Sequence, residues 1–318
     1  MRFVLPVLLA ACGPQLVQQG RMGSSDAPTA APTVGFLRLA AAENPGHGIV
    51  PDLVPLPGQE RTVPMGWVSM GDRLCAVDGE SGTIEQDVFL DEDEPSGVRL
   101  LDISPSAFLV LEGYRVQVLD AEGRLRISYP AVGEVQDARL LTDGSVLTLT
   151  STDWGCELSE RDGGFRSSFV VDDGACEDGR LEHFDGTAWV RLGHRVLEVR
   201  DETVVADEAF DLVSVDPLLG DRVLGVKGSS EIRLFSGKEE MSVELPSAVV
   251  DVAVRGGRVV ALTEDFELLL VQASTGTLLA REPFYGALDV AEIQMTPDGQ
   301  GLVAVGPSAV QFYGVFGG

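Results

Sequence analysis

A chain of 318 residues, 44% of them hydrophobic, has enough apolar material for a substantial core, and all-β folds of this length are routinely one domain, so disorder over most of it is excluded. Its 50 Asp and Glu against 23 Lys and Arg leave a formal charge of -27, which repels phosphate backbones and anionic lipid headgroups and argues against nucleic acid as a partner. No stretch approaches the ~18 consecutive apolar residues that a membrane-spanning helix requires.

At the start, Met1-Arg2 precede an apolar run from Phe3 to Ala11, and Cys12 follows with Gly13 and Pro14 behind it. Leu9-Ala10-Ala11-Cys12 resembles the bacterial lipobox, in which small residues before the cysteine admit a signal peptidase and the thiol carries a diacylglyceryl group. The run is shorter than the roughly 15–30 residues of an ordinary secretory signal. The resemblance implies a lipoprotein signal peptide over 1–11, lipid attachment at Cys12, and membrane contact through that lipid alone. Gly13 stands where an aspartate would, in enteric bacteria, signal inner-membrane retention, so an outer-membrane address is expected. Residues 12–33, rich in Gln, Gly, Ser, Pro, Ala and Thr, cannot form a core and read as a flexible tether. The folded domain is then 34–318.

Within it the turns repeat. One series runs Met70-Gly71-Asp72, Pro105-Ser106, Asp143-Gly144, Asp185-Gly186, Gly220-Asp221, Gly256-Gly257 and Asp298-Gly299. A second, offset series runs Ser81-Gly82, Glu122-Gly123, Asp162-Gly163, Ser236-Gly237 and Thr275-Gly276, with Asp201-Glu202 in its vacant place. Both keep a period near ~40 residues, and the runs between them alternate with β-branched residues, as in Tyr114 to Val118 and Glu231 to Phe235. A unit of that length with four short strands is a propeller blade, which predicts an all-β propeller of about seven blades. With strands labelled a to d, the first series is expected to join a to b and the second c to d. The last unit has a (Val290 to Met295), b (Leu302 to Val305) and c (Val310 to Val315) but no fourth strand. A segment within Ile49 to Leu56 or Val34 to Leu39 is expected to supply it and close the ring. Ala76-Val77-Asp78 with Gly82, Val118-Leu119-Asp120 with Gly123, and Thr296-Pro297-Asp298-Gly299 resemble fragments of WD40-like and pyrroloquinoline-quinone-like repeats. The Trp-Asp pair of the former and the tryptophan after glycine of the latter are missing.

In such a ring the b–c and d–a connections share one face. The acidic segments Asp91, Glu92, Asp93 and Glu94, Asp172 and Asp173, Glu177 and Asp178, and Asp207 and Glu208 are all expected there as d–a loops, a natural place for a partner. Cys156, opening a strand c, and Cys176, in the next d–a loop, fall on the same face and are expected to form a disulfide in an oxidising compartment. Trp154 reads equally as an exposed anchor or as a ring packed over that disulfide loop. Cys75, in a strand b, reads as a small buried apolar residue. Acidic loops have the oxygen donors that Ca²⁺ takes, yet no D-x-D-x-D-G loop is present, so no metal or other cofactor is assigned.

Catalysis has little support. The three histidines are His47 near the tether and His183 and His194 in one unit, which read as locally hydrogen-bonded strand residues, and no hydrolase elbow, zinc helix, P-loop or dinucleotide fingerprint occurs. The leading expectation is a non-enzymatic cell-envelope lipoprotein that holds a protein partner. Its rivals are a hydrolase or lyase with its site in the central channel, which requires inward polar residues on several strands a, and a surface sensor for a cation or glycan. The lipobox reading is checked directly: Cys12→Ser should abolish metabolic incorporation of a palmitate analogue and release the chain from the membrane fraction, and a variant that stays labelled would refute it.

Overall fold

A computed structural model describes residues 35–43, 47–55, 62–70, 73–78, 84–89, 98–104, 106–162, 164–174, 176, 178–284, 292–296, 299–305 and 309–316. Cys12, the signal peptide and the tether lie outside these residues, as do Asp91, Glu92, Asp93, Glu94 and Glu177.

The described chain forms 28 strands and no helix. After β1 (Gly35–Glu43), the first blade is β2 (His47–Pro55), β3 (Thr62–Met70), β4 (Arg73–Asp78) and β5 (Ile84–Phe89). The second is β6 (Val98–Ser104), β7 (Ala107–Glu112), β8 (Arg115–Asp120) and β9 (Leu125–Pro130), and the third β10 (Glu134–Leu140), β11 (Val146–Thr152), β12 (Gly155–Arg161) and β13 (Phe165–Asp172). The fourth is β14 (Arg180–Phe184), β15 (Thr187–Leu192), β16 (Arg195–Arg200) and β17 (Thr203–Glu208), and the fifth β18 (Leu212–Val215), β19 (Arg222–Gly225), β20 (Glu231–Ser236) and β21 (Glu239–Glu244). The sixth is β22 (Val249–Arg255), β23 (Arg258–Thr263), β24 (Glu267–Gln272) and β25 (Leu278–Pro283); β26 (Glu292–Met295), β27 (Gly301–Val305) and β28 (Ala309–Phe316) begin the seventh. Each sheet is antiparallel, four strands wide and in sequence order, except that β1 completes the seventh by pairing with β28, Gly35 opposite Phe316 through Glu43 opposite Ala309.

Seven sheets therefore match the expected blade number. Of the two segments proposed to close the ring, the one beginning near Val34 does so as β1, whereas Ile49 to Leu56 falls mostly in β2, the innermost strand of the first blade. The inner strands β2, β6, β10, β14, β18, β22 and β26 contact one another in turn, and β26 returns to β2.

One element of the turn assignment needs correction. Gly71 lies between β3 and β4, a b–c turn, whereas the rest of its series joins a to b; Cys75 is accordingly on a strand c. Every hairpin of a blade can carry glycine, so glycine spacing gives the period without saying which hairpin it marks. The c–d series stands as expected.

Apolar side chains collect between blades. Trp67 of the first meets Phe108 of the second edge to face at 4.7 Å, and Leu149, Leu181, Val190 and Leu197 join the third and fourth. Phe36 of β1 shares a cluster with Leu270, Leu302 and Tyr313, so the closing strand also contributes to the packing of the sixth and seventh blades. A sheet this small cannot bury its faces alone, and stacking in a ring is what removes them from water.

A polar device accompanies the apolar one. In β6, β10 and β22 the pairing slips by one residue just before Asp102, Asp137 and Asp251. Such a bulge re-aims the side chain that follows it. Each carboxylate accepts the next amide of its own strand, from Ile103, Ala138 and Val252, and also an amide of the following blade's inner strand: Leu140 at 2.8 Å, Leu181 at 2.9 Å and Ile293 at 2.7 Å. Ser214 does the same for Val254 at 3.1 Å. Asp137 also holds Arg139 at 2.7 Å. Asp137→Ala should therefore strand two amides and a guanidinium, and lower the unfolding free energy by about 3 kcal/mol in urea denaturation followed by circular dichroism; a loss under about 1 kcal/mol would show that the clamp is dispensable.

Candidate functional site

Antiparallel order places the b–c turns and d–a connections at one end of every blade. Four of the b–c turns there are tight. Gly113-Tyr114, Asp153-Trp154 and Gly193-His194 each bridge two strands with two residues, and Phe266 closes a three-residue turn in the sixth blade. Each places an aromatic ring last before strand c. Tyr114 is 82% exposed, Trp154 69%, Phe266 41%, and the His194 side chain 93%. Phe266 holds this position with φ at +60°, a left-handed backbone that costs a non-glycine residue energy. The turn positions repeat at intervals of 40, 40 and 72 residues, the last being two periods. Trp154 is therefore an exposed residue. Tyr114 and Phe266 escaped the sequence reading because the b–c hairpin was not isolated from the a–b series; a repeat alignment fixed on the second turn residue finds them.

Of the five described acidic residues expected on this face, three are paired with arginines. Asp172 ends β13 and Asp207 lies in β17, and Arg195 holds both, at 2.7 Å and 2.8 Å. That pairing keeps the Asp207 carboxyl below its ordinary range. Glu208 ends β17 and faces Arg233 at 3.5 Å, in a cleft of about 370 Å³ with Phe210 and Ser229. These three belong to strand ends, not loops, because the blade's outer strand runs longer than its sequence pattern suggests. Asp173 is exposed beyond β13, and Asp178, at φ +56°, borders the central channel.

Cys156 and Cys176 are joined in a disulfide with Cα atoms 4.9 Å apart, fully buried among Leu149, Leu158, Leu181 and Val190. It pins the d–a connection between the third and fourth blades. Gly155 makes the approach possible: with φ at +124°, a Cβ there would lie 2.3 Å from the Asp172 carbonyl oxygen. Cys75 is buried and outside the disulfide.

The channel, about 750 Å³, carries charged side chains among apolar ones. Asp102, Asp137 and Arg139 from the second and third blades meet Glu182 from the fourth, which lies 3.9 Å from Arg139. Burial pushes Asp102 and Glu182 above the usual carboxylate range, and it raises Asp251 to about 6 against the pull of its amide bonds, Lys227 and Arg191. Burial would depress Arg139, but Asp137, Glu182 and Asp102 outweigh it and hold the guanidinium above its ordinary value. Among the described residues, no three His, Cys, Asp or Glu side chains gather as a metal site. His183, half-buried in β14, is kept below its ordinary pKa by burial, while His194 is a turn residue and not the strand residue expected, its Nδ1 3.2 Å from Asp211.

Comparison with known proteins places the architecture. The chain is similar to the WD40 domain of Neurospora crassa Pan2, with a TM-score of 0.64 and 11% identity over 90% of this chain and 97% of that one. It is similar also to a chain in the crystal structure of the mitotic checkpoint complex, with a TM-score of 0.61 and 14% identity over 95% of this chain and all of that one. The fold is thus a WD40-like β-propeller. No family model and no curated protein matches the sequence.

The disulfide has a measurable consequence. Replacing both cysteines with alanine opens a 20-residue loop and should cost about 3 kcal/mol of stability in urea, with the blade order retained. An unchanged midpoint would show that packing alone holds this connection.

Proposed function

We propose that this chain is a non-enzymatic, lipid-anchored protein of the bacterial cell envelope that docks a protein partner on the face bearing its b–c turns and d–a connections. The observation that carries the reading is the row of exposed aromatic tips, Tyr114, Trp154, His194 and Phe266, on successive or near-successive blades. Aromatic side chains give large contact area for little conformational entropy and dominate interface energetics. Leaving several of them in water at the ends of rigid hairpins favours a surface meant to be covered. One of the similar solved structures is itself described as a complex, which accords with this use of the fold. The lipobox resemblance at Cys12 supports an envelope address, with the outer membrane as the proposed site.

A second reading, a hydrolase or lyase with its site in the channel, gains from the charged lining. Much of that charge has structural employment, since Asp102, Asp137 and Asp251 each accept backbone amides from two blades. A binding role therefore remains the preferred reading.

Site-specific photocrosslinking in intact cells tests it. A photoreactive residue at position 154 should yield a discrete protein adduct, one at the exposed c–d turn position 122 should not, and Tyr114→Ser should reduce the 154 adduct severalfold. Equal adducts from both positions, or none from 154, would overturn the proposal.

A further inference from the structure

The channel mouth on the docking face holds cations that the blade clamps do not use up. Arg99 is the second residue of β6, Arg180 the first of β14, and Arg191 the last but one of β15, while Lys227 follows β19 in a b–c connection. All four line the same cavity, at the end nearer the d–a connections. Arg180 is matched by Glu292. Arg99 and Arg191 have no salt bridge among the described residues: Arg99 donates to the carbonyl oxygens of Val135 at 3.2 Å and Gln136 at 2.7 Å, and Arg191 to those of Asp211 and Asp178, both at 3.3 Å.

Carbonyls satisfy donors but bring no net charge. Burial lowers the pKa of Arg99 and of Arg191, and the field of Arg180 reaches both. The acids in reach are partly committed. Glu292 is on Arg180, Asp137 holds two amides and Arg139, and Asp251 holds the amides of Ile293 and Val252 while facing Arg191 and Lys227. Asp211 takes the Lys227 amide and faces His194, whereas Glu134 acts on Arg99 and Asp178 on Arg191 through their field. A sequestered guanidinium with only neutral acceptors gains most from an oxyanion, whose oxygens take its parallel N–H groups as a fork.

We infer that the channel mouth binds the oxyanion group of a small ligand, a phosphate, sulfate or carboxylate, through Arg99 and Arg191, which line one cavity around Arg180, with Lys227 adding charge. The site is separate from the aromatic tips and stands or falls without the partner reading. Its ligand is a small molecule able to enter a cavity of about 750 Å³.

Sulfate is the probe, because it stays divalent across the accessible pH range. The purified full chain is titrated with sodium sulfate against sodium chloride at matched ionic strength, and the thermal midpoint is followed, since a ligand that binds only the native state must raise it. Sulfate should raise the midpoint saturably where chloride does not. Arg99→Gln and Arg191→Gln should each weaken the apparent affinity about tenfold, the loss of one charge-assisted bond, and Arg191→Lys should fall between. Arg281→Gln, on an exposed outer strand where Arg281 pairs with Glu267, should change nothing. Sulfate affinity should also rise as Asp251 takes up a proton on acidification, and Asp251→Asn should flatten that dependence. Circular dichroism of each variant separates lost binding from lost fold. A sulfate response that is non-saturable, or the same in parent, Arg99→Gln and Arg191→Gln, is generic salting and overturns the inference.

Discussion

A carboxylate that accepts one amide from its own strand and another from the next blade is the contact on which the ring depends. Apolar stacking alone sets no angle between neighbouring sheets, because area burial is non-directional. A hydrogen bond does set one. Asp102, Asp137 and Asp251, each re-aimed by a bulge, fix the spacing of inner strands beside a channel where main-chain amides would otherwise face water or each other. Ser214 performs the same task with a hydroxyl, which shows that the position needs a short acceptor and not a charge as such. Each clamp places buried negative charge at the channel wall, so cations must stand near it. Arg139, beside Asp137 and Glu182, answers the densest part of that charge.

The architecture was legible because hairpins punctuate the sequence at a near-constant interval, and a ring of small sheets is the fold that such an interval supports. Closure by a strand before the first blade was legible for a related reason: the last unit stops one strand short. What glycine could not supply was phase. Gly71 and Gly144 look alike in sequence, yet one falls between strands b and c and the other between strands a and b. That ambiguity hid the aromatic tips, which become periodic only once b–c turns are aligned with one another. The disulfide was legible from topology, since strand c opens where the d–a connection begins and its two cysteines are brought to one end of a blade.

The pairing of acids on this face had no counterpart in the sequence. Net charge is a property of the whole chain, and it does not say which carboxylates are free. Asp172 and Asp207 come from different blades and converge on Arg195, a pairing that needs the blade geometry and has no signature in spacing. Among the described residues of this face, Asp172, Asp207 and Glu208 are tied to arginines beside a rim of turns. On such a rim the aromatic tips are the features that a partner can distinguish by shape.

The chain has only two lysines, Lys227 and Lys238, and arginine does the remaining cationic work. Composition alone makes this look like a genomic or habitat bias. At the inner strands it has a structural basis as well. Arg99 reaches from the second blade to two carbonyls of the third, Arg191 from the fourth to a carbonyl leading into the fifth, and Arg255 from the sixth to the Val215 carbonyl of the fifth. A guanidinium has five donors in a planar fork, so it can tie a neighbouring backbone and still present N–H groups to the channel. An ammonium has three donors on a point charge and cannot hold that geometry while keeping one edge open. The side chains that help the clamps hold blades together are therefore the ones that leave positive charge at the mouth, and the demands of closing the ring and of receiving an anion are met by one choice of residue.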